Sequence, residues 1–187
     1  GQHGEMNSKR PITEERLQRL LERAVSYYEQ AFPSSEGKTR LEGMGITDAG
    51  LYNRHRIGYA TGDLRNVLPK DGALKAELKG IGVFDGCGRE RFRRCIVFPV
   101  VDAEGRLTNC CGYHLQKQSY LCLPNRRKGI WNLPAVKTYT ELLATTSIVD
   151  ALSLMMAGKN NTIAFLDDDV DDKALATFKE YNAQRIT

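Results

Sequence analysis

Apolar residues recur every three or four positions along the first long segment of the chain, from Thr13 to Phe32. That period places them on one stripe of a helix, so it predicts an amphipathic helix over this segment. Thr13 can accept a hydrogen bond from the free N–H groups of the first turn, and Pro33 follows the last periodic residue. Weaker helical patterns follow, and we expect short helices at residues 35–43, 48–54 and 71–78.

The middle of the chain changes to the apolar runs that are typical of strands. Cys95–Val101 predicts one strand and Arg106–Tyr113 predicts its return, because Asp102–Gly105 between them has the composition of a turn. A third strand is expected at Ser119–Leu123. Pro99 has no N–H to donate, so it should lie at a sheet edge or a bulge.

The last fifty residues alternate between short apolar strands and helices. This β-α-β-α-β order is typical of a parallel sheet with right-handed crossovers. Two complete strands and the start of a third make an incomplete layer, so we infer that the sequence ends inside a larger domain. The expected strands are 142–145, 162–166 and 184–187, and the expected helices are 148–157 and 171–181.

The composition excludes several classes of protein. With 41% hydrophobic and 27% charged residues over 187 positions, the chain has a globular composition and not a disordered one. No apolar run approaches the ~18 residues of a membrane span. Residues 1–8, which we interpret as a tail or tag remnant, lack the apolar core of a signal peptide. We therefore expect no membrane partner and a cytoplasmic location.

Charge is distributed unevenly around a formal net charge of +4. Residues 1–137 carry 23 basic and 15 acidic residues, whereas residues 138–187 carry 4 basic and 8 acidic residues. A basic part of this kind indicates a polyanion partner. Its candidate binding residues form two groups, the arginine segment (Arg89, Arg91, Arg93 and Arg94) and the basic loop (Arg126, Arg127 and Lys128).

Guanidinium groups bind phosphates bidentately, so these seven cations would bind nucleic acid on one surface if the sheet brings the two groups together. Tyr113, Tyr120 and Trp131 are close to them in sequence and could stack on unpaired bases. The alternative is that the cations are solvated loop charges and the aromatic rings fill the core.

An acidic loop, Asp167–Asp172, follows the second apolar strand of the last segment. Carboxylates at the carboxyl edge of parallel strands can hold divalent cations. The interpretation we favour is that they cap the next helix and complement its dipole.

The five cysteines include no C-x-x-C pair, so we expect no zinc site in this chain. Cys110 and Cys111 are adjacent on one strand and should point to opposite faces of the sheet. We interpret all five as reduced residues that behave as small apolar side chains.

One ordered series of short stretches runs from residue 43 to residue 164. It comprises Gly43–Ile46, Ile57–Ala60, Phe92, Ile96–Asp102, Gly105, Tyr120–Asn125, Gly129–Asn132, Asp150–Leu152, Ala157, Gly158, Asn161 and Ala164. In order and spacing this series resembles the catalytic core of bacterial-type DNA primases. The likeness is strongest to the primase-like proteins of plasmids, phages and integrated mobile elements, and it covers residues 13–187.

The resemblance implies an α+β primase-specific subdomain with a small antiparallel sheet at residues 9–137. It implies the first half of an α/β, Rossmann-like TOPRIM domain at residues 138–187. In the family, TOPRIM carboxylates hold Mg²⁺ or Mn²⁺ for nucleotidyl transfer from ribonucleotides on a single-stranded DNA template. The full-length parent would therefore need one of these ions, and a replicative helicase is a further expected partner.

Several family positions differ in this sequence. Asp150 is the one acidic TOPRIM position that is kept, so it is the expected catalytic and metal-binding residue. Thr146 and Ser147 stand where the family has Glu-Gly, and Cys95 and Tyr113 stand where relatives have arginines. The family's Asp-x-Asp metal motif belongs to a later strand, beyond this sequence.

Three interpretations stay open at this point. In the first, the chain is an inactive fragment of a primase-like protein that binds single-stranded DNA, and its parent synthesises RNA primers. In the second, it is a degenerate, non-catalytic relative that only binds nucleic acid or a replication partner, as the loss of the glutamate at Thr146 favours. In the third, the TOPRIM half belongs to a nuclease or topoisomerase, against which the primase-like segment Leu123–Gly129 argues.

Overall fold

A computed structural model describes residues 11–187, and the expected tail at residues 1–8 lies outside this range. The described chain contains six α-helices and eight strands. The helices are α1 (Glu14–Ala31), α2 (Glu36–Gly43), α3 (Ala49–Arg54), α4 (Ala73–Gly80), α5 (Ile148–Met156) and α6 (Asp172–Glu180). The strands are β1 (Gly58–Ala60), β2 (Cys95–Val101), β3 (Leu107–His114), β4 (Ser119–Cys122), β5 (Ile130–Trp131), β6 (Glu141–Thr145), β7 (Thr162–Phe165) and β8 (Arg185–Ile186).

The helices that the sequence predicts are present. The side chains of Thr13, Ser35 and Asp48 accept hydrogen bonds from backbone N–H groups in the first turns of α1, α2 and α3, which fixes where these helices begin. The apolar stripe of α1 is buried as expected, through Leu20, Leu21, Ala24, Val25 and Tyr28. Within residues 11–187, no helix combines the length and the hydropathy that crossing a bilayer requires.

The first sheet is antiparallel and has the strand order β1-β2-β3-β4. The predicted hairpin of β2 and β3 is confirmed, whereas β1 pairs only with residues 95–97 of β2. Pro99 lies beyond the reach of β1 and opposite Cys110. The Cys110 carbonyl accepts from Leu123 on the β4 side, so the Pro99 nitrogen faces the unpaired edge of β2. No ladder bond is lost there, and the edge position predicted for Pro99 is confirmed.

Both faces of the first sheet are buried. One face, which includes Val97 and Cys110, packs against α1 and α4. The opposite face, which includes Ile96 and Phe98, packs against α2, α3, α5 and the strand β7. Every residue of β2 except Val101 is buried, which explains why this strand is a continuous apolar run and not an alternating one.

The second sheet has the strand order β5-β7-β6-β8. β6 is parallel to β7 and to β8, which confirms the parallel order predicted for the last fifty residues. β5 adds an antiparallel edge that the sequence pattern does not predict, because two residues carry no periodicity. β5 precedes residue 137, where the sequence places a boundary, yet it pairs within the second sheet. The two sheets share one apolar layer, since Ile148 of α5 and Ala164 of β7 pack against the first sheet.

The interpretation of all five cysteines as reduced is wrong for one pair. Cys111 and Cys122 lie directly opposite each other on β3 and β4, with Cα atoms 4.1 Å apart, and form a disulfide. Sequence spacing alone does not reveal this pairing, because it depends on the register of the two strands. Cys110 faces the other side of the sheet, as expected. Burial raises the pKa of the free Cys95 and Cys110 thiols to about 12, so both behave as apolar residues.

Gly58 offers a sharp test of the packing of α1 on the first sheet. A Cβ at residue 58 would lie 2.7 Å from the backbone carbon of Tyr28 and 3.0 Å from the nitrogen of Glu29, so α1 would have to move. We expect Gly58→Ala to lower the free energy of unfolding by about 1–3 kcal/mol, measured by urea denaturation. Gly43→Ala is the control, because a Cβ there meets nothing within 4 Å. An equal loss in both variants would contradict this packing.

Candidate nucleic-acid interface

The arginine segment lies in the turn that leads into β2, and its members have different surroundings. Arg89, Arg93 and Arg94 are exposed, and none of them forms an ion pair within residues 11–187. Arg91 is partly buried, and its Nε donates to the Gly82 carbonyl at 2.6 Å. Three of the four predicted cations therefore have guanidinium groups available to a ligand.

Arg94 borders a concave surface beside the first sheet. The cavity has a volume of about 780 Å³ and is also lined by Glu36, Arg40, Leu115 and Gln116. Arg40 is held in place because its Nη1 donates to the Leu115 carbonyl at 3.0 Å. The surface thus combines one anchored guanidinium with one exposed guanidinium and a single carboxylate, which leaves it net positive.

The basic loop is held by a buried asparagine on β3. Asn109 is fully buried, and its Oδ1 accepts from the N–H groups of Cys110 at 2.7 Å and Leu123 at 2.9 Å. Its Nδ2 donates to the Arg127 carbonyl at 3.0 Å. Because a buried amide must satisfy its donors and acceptors, this side chain fixes where the basic loop leaves β4. A polar residue within an apolar strand is the sequence signal that indicates such a role.

The acidic loop binds the basic loop. Asp167 accepts from the N–H groups of Lys128 at 3.0 Å and Gly129 at 2.9 Å. The guanidinium of Arg127 lies within 3.4 Å of Asp167 and Asp171 and 3.0 Å of Asp169. The hydrogen bond that Arg127 donates to Asp169, together with the charges of the three carboxylates, raises the pKa of Arg127. Arg127 therefore already has anionic partners and is not a free phosphate-binding group.

The preferred interpretation of the acidic loop holds for Asp171, whose side chain accepts from Ala174 at 2.8 Å and caps α6. Asp167 and Asp169 act differently, since they bind the basic loop and not a helix start. Within residues 11–187, no three His, Cys, Asp or Glu side chains come close enough to hold a metal ion.

The two basic groups lie at opposite ends of the β2–β3 hairpin. The arginine segment leads into β2 at Cys95, opposite His114, whereas the basic loop is held at Asn109, opposite Val100. Five strand positions separate these two levels of the hairpin, which is roughly 17 Å at about 3.4 Å per residue. The hairpin therefore does not place the two groups side by side, and their action as one nucleic-acid surface stays a prediction.

The three aromatic residues near the cations lie in two places, the buried core and the contact between the first sheet and α5. Trp131 is 1% exposed and packs on His55 with ring centroids 4.6 Å apart, so it fills the core and presents no face to a base. Tyr113 and Tyr120 are cross-strand neighbours with centroids 5.1 Å apart. Both are partly buried against the layer that holds α5.

Tyr120 caps the start of α5. Its hydroxyl lies 2.8 Å from the Ser147 Oγ and accepts from the Val149 N–H at 2.9 Å. Burial is the main reason why the pKa of Tyr120 is raised, so the phenol stays protonated at neutral pH. Asp150 lies in the first turn of this helix with its side chain exposed, as the sequence predicts. Thr146, one position before the Ser147 cap, is also exposed.

These residues do not by themselves make a metal site. Proteins usually hold Mg²⁺ through one or two carboxylates together with phosphate oxygens and waters. Among the described residues, Asp150 is the one carboxylate of the α5 first turn, and Thr146 offers only a hydroxyl.

No protein-family model matches the sequence. A DNA primase from Staphylococcus aureus (strain COL) is 26% identical over 176 residues, which cover 82% of this chain and 29% of the relative. The chain thus spans less than a third of that relative's length.

Solved structures of primases have the same fold. The Aquifex aeolicus primase, comprising zinc-binding and RNA polymerase domains, matches with a TM-score of 0.76 and 20% identity over 94% of this chain and 48% of that chain. A DnaG primase catalytic domain bound to single-stranded DNA matches with a TM-score of 0.71 and 23% identity, covering 88% and 60%. The mixed α/β fold is that of a bacterial-type DNA primase catalytic core, which confirms the resemblance to such primases that the sequence indicates.

The Tyr120 hydroxyl can be tested by a single-atom change. We expect Tyr120→Phe to lower the free energy of unfolding by about 1–2 kcal/mol, because the Val149 N–H and the Ser147 hydroxyl lose a buried partner. Tyr113→Phe is the matched control, since its hydroxyl makes no hydrogen bond within residues 11–187. Chemical denaturation of both variants measures the difference, and equal stabilities would contradict the capping role.

Proposed function

We propose that the chain is part of a primase-like protein that binds single-stranded DNA through the arginine segment. The observation that carries this proposal is the pair Arg93 and Arg94, which are exposed and form no ion pair in the described chain. Arg94 also lines the concave surface that holds the anchored guanidinium of Arg40. Arginines at an exposed, concave surface bind phosphates bidentately. The primase fold supports a nucleic-acid ligand, since one of the matching primase domains was solved with single-stranded DNA.

The basic loop has a smaller part in this proposal than the sequence suggests. Arg127 is bound by three carboxylates, so it would contact a phosphate only by exchanging these partners. Arg126 and Lys128 form no ion pair within residues 11–187. We propose that these two residues, and not Arg127, extend the contact surface at the other end of the hairpin.

For the whole parent, we propose primer synthesis by nucleotidyl transfer. On this proposal residues 9–137 correspond to the primase-specific subdomain and residues 138–187 to the first half of a TOPRIM domain. Asp150 would contribute one metal ligand for Mg²⁺ or Mn²⁺, an ion that neutralises phosphate charge in such reactions. On the same proposal, the parent would use ribonucleotides as substrates and would bind a replicative helicase. It would be encoded by a mobile element and located in the cytoplasm.

A second candidate is a non-catalytic relative that keeps only the binding role. Three observations favour it. Thr146 cannot replace a glutamate as ligand or base, Cys95 is fully buried and uncharged, and Tyr113 packs on Tyr120 where relatives have an arginine. These three positions thus hold neutral side chains where the family has charged ones: Thr146 and Tyr113 lie near the start of α5, and Cys95 lies in the core beneath α1.

The binding role is tested by the salt dependence of affinity. We expect the 187-residue chain to bind a labelled thymidine oligomer of about 12 nucleotides. The double variant Arg93→Gln with Arg94→Gln should lower the slope of the logarithm of the binding constant against the logarithm of the salt concentration by up to about 1.4. Each lost phosphate contact on a single strand contributes about 0.7 to this slope. The control is Arg65→Gln with Lys70→Gln, which removes the same charge from another exposed segment. Equal slopes in both double variants would overturn the assignment of the arginine segment.

The catalytic role is tested with the full-length parent. On single-stranded DNA with labelled ribonucleotides and Mg²⁺ or Mn²⁺, we expect RNA primers, and we expect Asp150→Asn to abolish them while oligonucleotide binding persists. Absence of primers with either ion, in a parent that still binds the oligonucleotide, would establish the non-catalytic alternative.

A further inference from the structure

A large cleft lies along the edge of the first sheet that β1 leaves unpaired. Its volume is about 1220 Å³, and it is lined by α1, the residues after α3, the outer part of the β2–β3 hairpin and residues 131–139. It also reaches Met155, at the end of α5 away from Asp150. None of the residues in the arginine segment or the basic loop lines it.

The walls of the cleft carry a surplus of positive charge. Arg19, Arg23 and Arg54 are exposed and form no ion pair within residues 11–187, whereas Arg56 is bound to Glu22 and Glu29. Arg19 and Arg23 are one helical turn apart, so they lie on the same face of α1. Burial and the charge of Arg54 lower the pKa of His55 to about 4, so its ring is uncharged at neutral pH. An anionic occupant is therefore the complementary one.

The floor of the cleft argues against a peptide that would add a strand to the sheet. Such a peptide needs a row of free backbone donors and acceptors on the edge of β2. Pro99 lines the cleft and has no N–H, and the register shift between Val100 and Val101 disrupts the edge further. A nucleic-acid strand needs no such ladder, and the partly buried ring of Tyr139 offers it an aromatic wall.

We infer that this cleft is a second binding track for single-stranded nucleic acid, with Arg19, Arg23 and Arg54 as its phosphate contacts. The inference rests on the proposed binding function and extends it to a surface that the sequence does not single out. A strand that is longer than one site would then contact the chain both at the arginine segment and along α1.

Trp131 provides a reporter beneath this cleft, because it is the one tryptophan in the chain and its buried ring borders the cleft floor. We expect titration with a thymidine oligomer of about 12 nucleotides to change the emission of Trp131. Arg19→Gln, Arg23→Gln and Arg54→Gln together should remove most of that change and lower the log–log salt slope by up to about 2, at about 0.7 per single-strand phosphate contact. The control triple Arg65→Gln, Lys70→Gln and Lys179→Gln, all at exposed positions, should leave both unchanged.

The outcomes separate this inference from the proposed function. If the arginine-segment variant weakens binding but the cleft triple variant leaves the affinity, the slope and the Trp131 response intact, the cleft inference is overturned and the proposed function stands. If the wild-type chain does not bind the oligonucleotide at all, both are overturned. If poly-glutamate of equal charge displaces the oligonucleotide as effectively as unlabelled oligonucleotide does, the cleft is a site for acidic peptides and the nucleic-acid assignment fails.

Discussion

The burial of the first sheet on both faces is the constraint on which the rest of the structure depends. α1 and α4 cover one face, and α5 with the second sheet covers the other, so no residue of the sheet's interior is available to a ligand. On this sheet, a ligand can therefore be contacted only at the ends of the hairpin and at the edge strands, including the edge of β2 that β1 leaves open. The arginine segment lies at one end, the basic loop at the other and the cleft at the edge. A flat, central binding platform on this sheet is excluded by its packing.

The joint between the two sheets uses charge as well as apolar contact. The carboxylates of the acidic loop hold the basic loop through backbone N–H groups and through Arg127, and the buried Asn109 holds the same loop from the other side. The opposite charges of residues 1–137 and residues 138–187 therefore serve in part to join these two parts of the chain. Exposed ion pairs are individually weak, but a carboxylate that also accepts two backbone N–H groups fixes a geometry. This is why the acidic loop is not simply a solvated surface.

The sequence pattern predicts the local structure closely and the long-range contacts poorly. Periodicity places α1 and the β2–β3 hairpin within two residues of their observed limits, because both depend on near neighbours. The two-residue strand β5 has no periodicity to read, and its partner lies more than thirty positions away. The separation of Arg94 from Arg127 and the capture of Arg127 by aspartates depend on tertiary packing. The resemblance identifies the fold class, but only the coordinates reveal the cap that Tyr120 places on α5.

The disulfide between Cys111 and Cys122 affects how Tyr120 contacts the first turn of α5. The bridged pair lies two positions along the strands from the pair Tyr113 and Tyr120. A slip of one residue between β3 and β4 would turn Tyr120 towards α1 and leave the first turn of α5 without its phenol, because side chains alternate between faces. A covalent link at the neighbouring level forbids that slip. The disulfide therefore fixes the register of β3 and β4 at the one pairing that places the Tyr120 hydroxyl over the start of α5.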